Sequence, residues 1–244
     1  MRSFVVNNLL VKLAETEEEY KSLFKLRYLD LLKSYNTNLK SEIEEDKDEY
    51  DKYCDHIIVV DLNTKEVVGT YRLIKSEHLK VLKCFLTETE FDISPLKKYQ
   101  ILEVGRAVVK EEYRASNVIS LLWKAIINYA IEENVDYMIG TACFHGIDPS
   151  PYLDTFAYLY DKHLSSIEER CNVNQDSFYP LNIKETYDLT TAKNNMPPLV
   201  KGYINLGATI GDGVYIDRDF NSLDILIVLK IKNINERYLK RFLK

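Results

Sequence analysis

Cysteine, histidine, proline and glycine are all scarce in this 244-residue chain, at four, four, six and eight residues. The cysteines (Cys54, Cys84, Cys143, Cys171) are widely spaced with no Cys-x-x-Cys pair, which excludes a dense disulfide framework and metal-finger spacing and leaves reduced thiols. The histidines form no His-Glu-x-x-His motif, so no metal is expected. No stretch is a Gly-, Pro- or Ser-rich linker, and with 29% charged residues and so few prolines the chain does not read as disordered. No run approaches the roughly twenty apolar residues that span a membrane. The opening MRSFVVNNLLVKLAE breaks into polar residues too soon for a signal peptide, so a soluble, cytoplasmic protein is expected. Positive charge is not in excess either: Lys+Arg 32 against Asp+Glu 38 gives −6, which removes the general nucleic-acid binder from consideration.

What is present is an apolar content of 46%, enough to build a core for one domain over residues 1–244 with an elaborated half from about 150 onward. Charge is segregated. Between Glu42 and Asp55 eight acids (Glu42, Glu44, Glu45, Asp46, Asp48, Glu49, Asp51, Asp55) face Lys47 and Lys52, so this window carries −6. The tail from Lys230 to Lys244 carries six cations against Glu236. Its residues Ile231, Ile234, Tyr238 and Phe242 share one helical face, which either docks on the domain or rests on anionic lipid or an acidic protein.

Residues 4–13 read as a strand. Thr16 with Glu19 forms a capping box ahead of an amphipathic helix over 17–34. Residues 56–61 and 66–74 read as a hairpin, followed by a strand over 101–109 and a helix over 118–131 that is apolar nearly all round and holds Trp123 in the core. A strand at 135–142, a helix at 154–165 and a strand at 224–230 complete a mixed α/β fold. Its sheet is expected to be mostly antiparallel, with one strand–helix–strand crossover at 101–142. That crossover sets a helix N-terminus, around Ser116 to Val118, beside a strand end where an anionic group can be held.

Ionisable residues interrupt several apolar stretches: Arg27 on the first helix, Asp48 and Asp51 at the end of the acidic loop, Arg72 in GTYRLI, and Glu103 and Arg106 in LEVGRAVV. Isolated buried charges cost several kcal/mol, so these six are expected to meet one another. Two readings stay open: a salt-bridge network that only orders the acidic loop, or a polar pocket for a charged substrate in which Glu103 accepts a proton. His145, in a loop beside Gly146, reads as incidental.

The stretches LRY at 26–28, DEYD at 48–51, VVGTYRLI at 67–74, LEVGRAVVKEEYR at 102–114 and PPLVKGYINLGATIGDG at 197–213 are colinear over nearly the whole chain. Together they resemble the acyl-carrier-protein-dependent branch of the GNAT superfamily of N-acyltransferases. Within that branch the chain is most similar to the ornithine N-acyltransferases of ornithine-lipid synthesis, and less so to the acyl-homoserine lactone synthases. Where the lactone synthases carry Phe, a basic residue or Gln, and Trp after the first Arg, this chain has Leu31, Ser34 and Thr37. The resemblance implies a GNAT-like fold with a twisted, mostly antiparallel sheet flanked by helices. It implies Glu103 and Arg106 as catalytic residues, with Arg27, Asp48, Asp51 and Arg72 binding the amino acid substrate. The acyl donor would be held by Val108, Arg114, Ser116 and Asn117. The usual coenzyme A loop of the superfamily has small residues where this chain has Asn117 and Ile119, so acyl carrier protein is the implied partner and donor, ahead of acyl-coenzyme A. No permanently bound cofactor is implied. The implied reaction acylates the α-amine of ornithine. Glycine or another amine, homoserine lactone chemistry, and a non-catalytic acyl-carrier-binding protein are the alternatives.

Overall fold

The computed structural model describes residues 1–35, 43–175, 177–181 and 184–242; Thr37 and Glu42 therefore lie outside the described residues. The expected first strand is a hairpin of β1 (Phe4–Val6) and β2 (Leu9–Leu13). Asn7, at φ 55°, turns the chain between them in the left-handed region that Asn tolerates. Helix α1 (Glu17–Arg27) opens on the complete capping box: Glu19 N donates to Thr16 Oγ1 at 3.2 Å and Thr16 N donates to the Glu19 carboxylate at 3.1 Å. The expected helix over 17–34 does not continue as α. After Arg27 the chain widens into a π-helical stretch, Tyr28–Leu32, before a short α2 (Lys33–Tyr35). Such wide turns recur near functional sites.

Strands β3 (Asp55–Asp61) and β4 (Val67–Lys75) form the expected hairpin. They are followed by β5 (Phe91–Asp92), β6 (Ile101–Val109), α3 (Val118–Glu132), β7 (Tyr137–His145) and α4 (Leu153–His163). The remainder of the chain comprises β8 (Asn172–Val173), β9 (Phe178–Tyr179), α5 (Leu189–Asn195), α6 (Pro198–Leu206), β10 (Thr209–Ile210), β11 (Val214–Asp217), β12 (Ser222–Lys230) and α7 (Glu236–Phe242).

The chain divides into two compact units, residues 1–83, 104–135 and 240–244 in the first and residues 84–103 and 136–239 in the second. In the first unit β1, β2, β3 and β4 pair in order, antiparallel, and the 104–109 half of β6 lies next to β4. The core between α1 and this sheet holds Leu23, Phe24, Leu26, Ile58, Val67 and Val108. Helix α3 seats on β3 and β4, and at its first residue the approach is close. A Cβ on Gly69 would lie 2.5 Å from Val118 Cγ1, so β4 needs glycine there. Trp123, expected in the core, is half-buried instead, with its indole N–H 3.5 Å from the Tyr71 hydroxyl.

In the second unit the first three residues of β6 run parallel to β7 (Ile101↔Tyr137, Leu102↔Met138, Glu103↔Ile139). β7 pairs antiparallel with β12 along nine residues, and β12 then carries β10 and β11. This parallel pair closes the expected crossover. Phe144 and Phe156, both fully buried with rings 5.0 Å apart, pin α4 to β7. Ile234 is buried, and Asn235 N donates to the Leu206 carbonyl, so the start of the tail is docked on α6.

Candidate active site

Arg27, in the last turn of α1, is fully buried, and its guanidinium hydrogen-bonds to acids of the loop before β3. Its Nε donates to Asp46 at 2.9 Å, while Nη1 and Nη2 grip Asp51 at 2.7 and 3.2 Å, a two-pronged geometry that only a planar guanidinium supplies. Arg72, from the middle of β4, donates through Nη1 to Asp48 at 2.6 Å and to Asp51 at 3.1 Å. Arg106, from β6, pairs with Asp46 at 3.1 Å and Asp48 at 3.6 Å. Three guanidinium groups thus meet three carboxylates, and their charges cancel.

Asp51 sits at the centre. Burial alone would raise its carboxyl, but the hydrogen bonds and charge of Arg27, aided by Arg72, hold it down at about 2. Arg72 stays firmly charged, since Asp48 and Asp51 more than offset its burial. Arg106 is the loose member. Burial and the two other arginines pull it down from its ordinary value, 31% of its side chain is open, and its backbone takes φ 50°. A non-glycine residue in that region costs roughly 1–2 kcal/mol, and here the bend re-aims β6 just past Gly105. A Cβ on Gly105 would meet nothing within 4 Å, so the backbone there borders open space. The parallel ladder of β6 with β7 also ends at Glu103, although both strands run on.

Glu103 lies in the second unit, 5% exposed, and accepts a hydrogen bond from Thr87 N at 3.2 Å. Asp46, which is not among the six expected residues, joins the network through Arg27 and Arg106. Asp46 was hidden within the eight-acid run, where nothing in spacing distinguishes a buried carboxylate from a solvated one. His56 was also missed. It is 1% exposed on β3, its Nε2–H donates to the Asp51 carbonyl at 3.1 Å, and burial keeps it neutral by lowering its pKa. Tyr20 and Phe24 pack edge-on against its ring. An open cavity of about 710 Å³ reaches this network from the α1 side, lined in part by Tyr20, Phe24, Lys47, Asp51 and Lys52.

The expected donor-binding residues lie in the first unit. Val108 puts its side chain into the core. Arg114 donates to the carbonyls of Val109 and Asp30 at 3.2 and 3.3 Å, with its side chain half open. Ser116 accepts from Val118 N at the start of α3, and the Asn117 side chain makes no cap bond. The start of a fifteen-residue helix is thus presented without a side-chain acceptor from its N-cap residue. His145 ends β7 exposed.

Residues 26–124 match the acetyltransferase (GNAT) domain family. Over 97% of this chain and 86% of its own length, an L-ornithine N(alpha)-acyltransferase of Agrobacterium fabrum is 32% identical. The chain belongs to the L-ornithine N(alpha)-acyltransferase family. It is accordingly an acyltransferase, and the fold agrees. FeeM, an N-acyl amino acid synthase from uncultured soil microbes, superposes with a TM-score of 0.54 at 10% identity over 97% of this chain and 98% of that one. MesI, a CoA-dependent acyl-homoserine lactone synthase, gives 0.50 at 14% identity over 96% and 95%. These likenesses establish the GNAT-like fold, a mostly antiparallel sheet flanked by helices. No helix among the described residues is long and apolar enough to cross a membrane.

Proposed function

We propose that residues 1–244 form one acyltransferase that moves a long-chain fatty acyl group from acyl carrier protein to the α-amine of L-ornithine, the first step of an amino-acid lipid. The observation that carries this reading is the near full-length match to an L-ornithine N(alpha)-acyltransferase. The acyl thioester lies along the open backbone at Gly105, and N–H groups of the 105–108 segment polarise its carbonyl. Glu103, directly or through a water, takes a proton from the substrate ammonium. The freed amine attacks the thioester carbon, the C–N bond forms, the C–S bond breaks, and a proton passes to the departing pantetheine thiolate. Arg106, the open member of the charge network, faces the substrate carboxylate, while Arg27, Asp48, Asp51 and Arg72 hold the loop that shapes the pocket. Carrier protein is favoured over coenzyme A because a single pantetheine phosphate needs only the α3 start with Arg114, whereas Ile119 crowds a wrapped pyrophosphate. The basic tail (Lys232, Arg237, Lys240) suits an acidic carrier or an anionic membrane surface.

The test is product identification by mass spectrometry after incubation with 3-hydroxyacyl-carrier protein and an equimolar pool of amino acids. N-acylornithine that disappears in Glu103→Ala supports acceptor and site together. A product on another amine removes ornithine and keeps the chemistry. Carrier protein bound with no product would leave a non-catalytic binder.

A further inference from the structure

The second unit holds another set of polar groups, partly buried. Glu90, Asp217 and Asp224 each bring a carboxylate oxygen to within 4.8 Å of the others. Asp224 stands on β12 opposite Cys143 of β7 and is 2% exposed. Its Oδ1 has no hydrogen-bond partner among the described residues, and neither has the hydroxyl of Ser222, fully buried and on the same face of the strand. Burial pushes the Asp224 carboxyl up to about 6; the neighbouring Cys143 thiol and Ser222 hydroxyl offset this only in part, and the charge of Asp217 adds to the rise. A desolvated carboxylate with an unused oxygen, among two more acids, calls for a cationic partner.

The position of the cluster says which cation. Thr87, whose N–H holds Glu103, lies in the single 3-10 turn Leu86–Thr89, and Glu90 caps that turn. The backbone that holds Glu103 and the backbone that carries Glu90 are therefore only three residues apart. The two nitrogens of an extended ornithine are five bonds apart, about 6 Å, a span that lets one ligand reach both groups. An ammonium presents three N–H donors to three carboxylates, whereas a divalent cation would need several more oxygens than these residues offer.

We propose that Glu90, Asp217 and Asp224 form the subsite for the side-chain ammonium of a diamino-acid acceptor, selecting an amino acid with a second amine over its neutral counterpart. The proposal rests on the placement of the reacting amine at Glu103. It makes the acid cluster the specificity determinant and Glu103 the base, both within the second unit.

The experiment compares kcat/KM for L-ornithine and for L-norvaline, the same carbon skeleton without the side-chain amine, with acyl carrier protein as donor. Wild type prefers ornithine. Asp224→Asn and Glu90→Gln each lower the ornithine-to-norvaline ratio by about tenfold or more, chiefly through the KM for ornithine. Asp224→Asn keeps the side-chain size and removes a desolvated charge, and its near-ultraviolet circular dichroism checks that it folds. Glu90→Gln, at a half-buried position, is the second, independent variant. A ratio unchanged in both folded variants overturns the subsite while leaving ornithine as acceptor. Activity that a chelator abolishes and Mn²⁺ restores overturns it in favour of a metal. If wild type acylates a monoamine and not ornithine, the acceptor reading fails first and the subsite falls with it.

Discussion

Asp51 is the residue on which the charges of the first unit converge, and it makes the clearest predictions. Asp51→Asn leaves Arg27 buried with only Asp46 fully charged beside it, and is expected to cost about 3–5 kcal/mol in urea unfolding. Because the folded carboxyl is held at about 2, below its ordinary 3.8, its contribution is complete above about pH 4 and is lost as the pH falls toward 2. That loss amounts to about 2 kcal/mol. His56 acts in the same direction: held neutral by burial, it opposes folding once an unfolded histidine would protonate, below about pH 6.5. The melting temperature should therefore fall from pH 7 to pH 3, and Asp51→Asn should flatten the steep part below pH 4. A wild-type profile level across that range would contradict the network as described. At the reacting centre, Glu103→Gln should lower the single-turnover rate about 10²–10⁴-fold while leaving carrier-protein affinity intact. Full single-turnover speed in that variant would remove Glu103 as the base.

At the scale of elements, the joint between β4 and α3 is the tightest. Gly69→Ala pushes a methyl into Val118, whose branched side chain cannot swing away, and should cost about 1–3 kcal/mol in thermal or chemical unfolding. An unchanged midpoint would show that α3 sits further from β4 than described. These elements also show what the sequence made legible. The capping box at Thr16, the hairpin over 56–74, the strand at 101–109 and the helix from 118 all stand in the structure, because each rests on local signals: a cap, alternation, or an unbroken apolar run. The Asn7 turn was passed over because Asn-Asn between two apolar runs lacks the usual glycine. The π-helical stretch at 28–32 was invisible because widening by one residue keeps the apolar spacing nearly intact. Of the site, the three arginines and Asp48 and Asp51 were readable as charges set among apolar residues. Asp46, His56 and the Glu90, Asp217 and Asp224 cluster were not, since only tertiary packing reveals which of the chain's many polar residues are buried together.

At the scale of the whole molecule, family membership meets a division of labour. A charge-neutral network of three arginines and three aspartates orders the acidic loop of the first unit, and in the proposed reaction Glu103 with the open backbone past it carries the transfer. The donor assignment follows from the start of α3, and it predicts that acyl carrier protein outcompetes the matching acyl-coenzyme A by kcat/KM. Equal use of both donors would contradict that assignment without touching the chemistry. The most direct test of the central claim is the rate of thiol release from 3-hydroxyacyl-carrier protein, followed with and without L-ornithine. The expected result is release that depends on ornithine and matches N-acylornithine formed one for one. Release at the same rate without ornithine, or none with it, would contradict the claim that this enzyme acylates that amine.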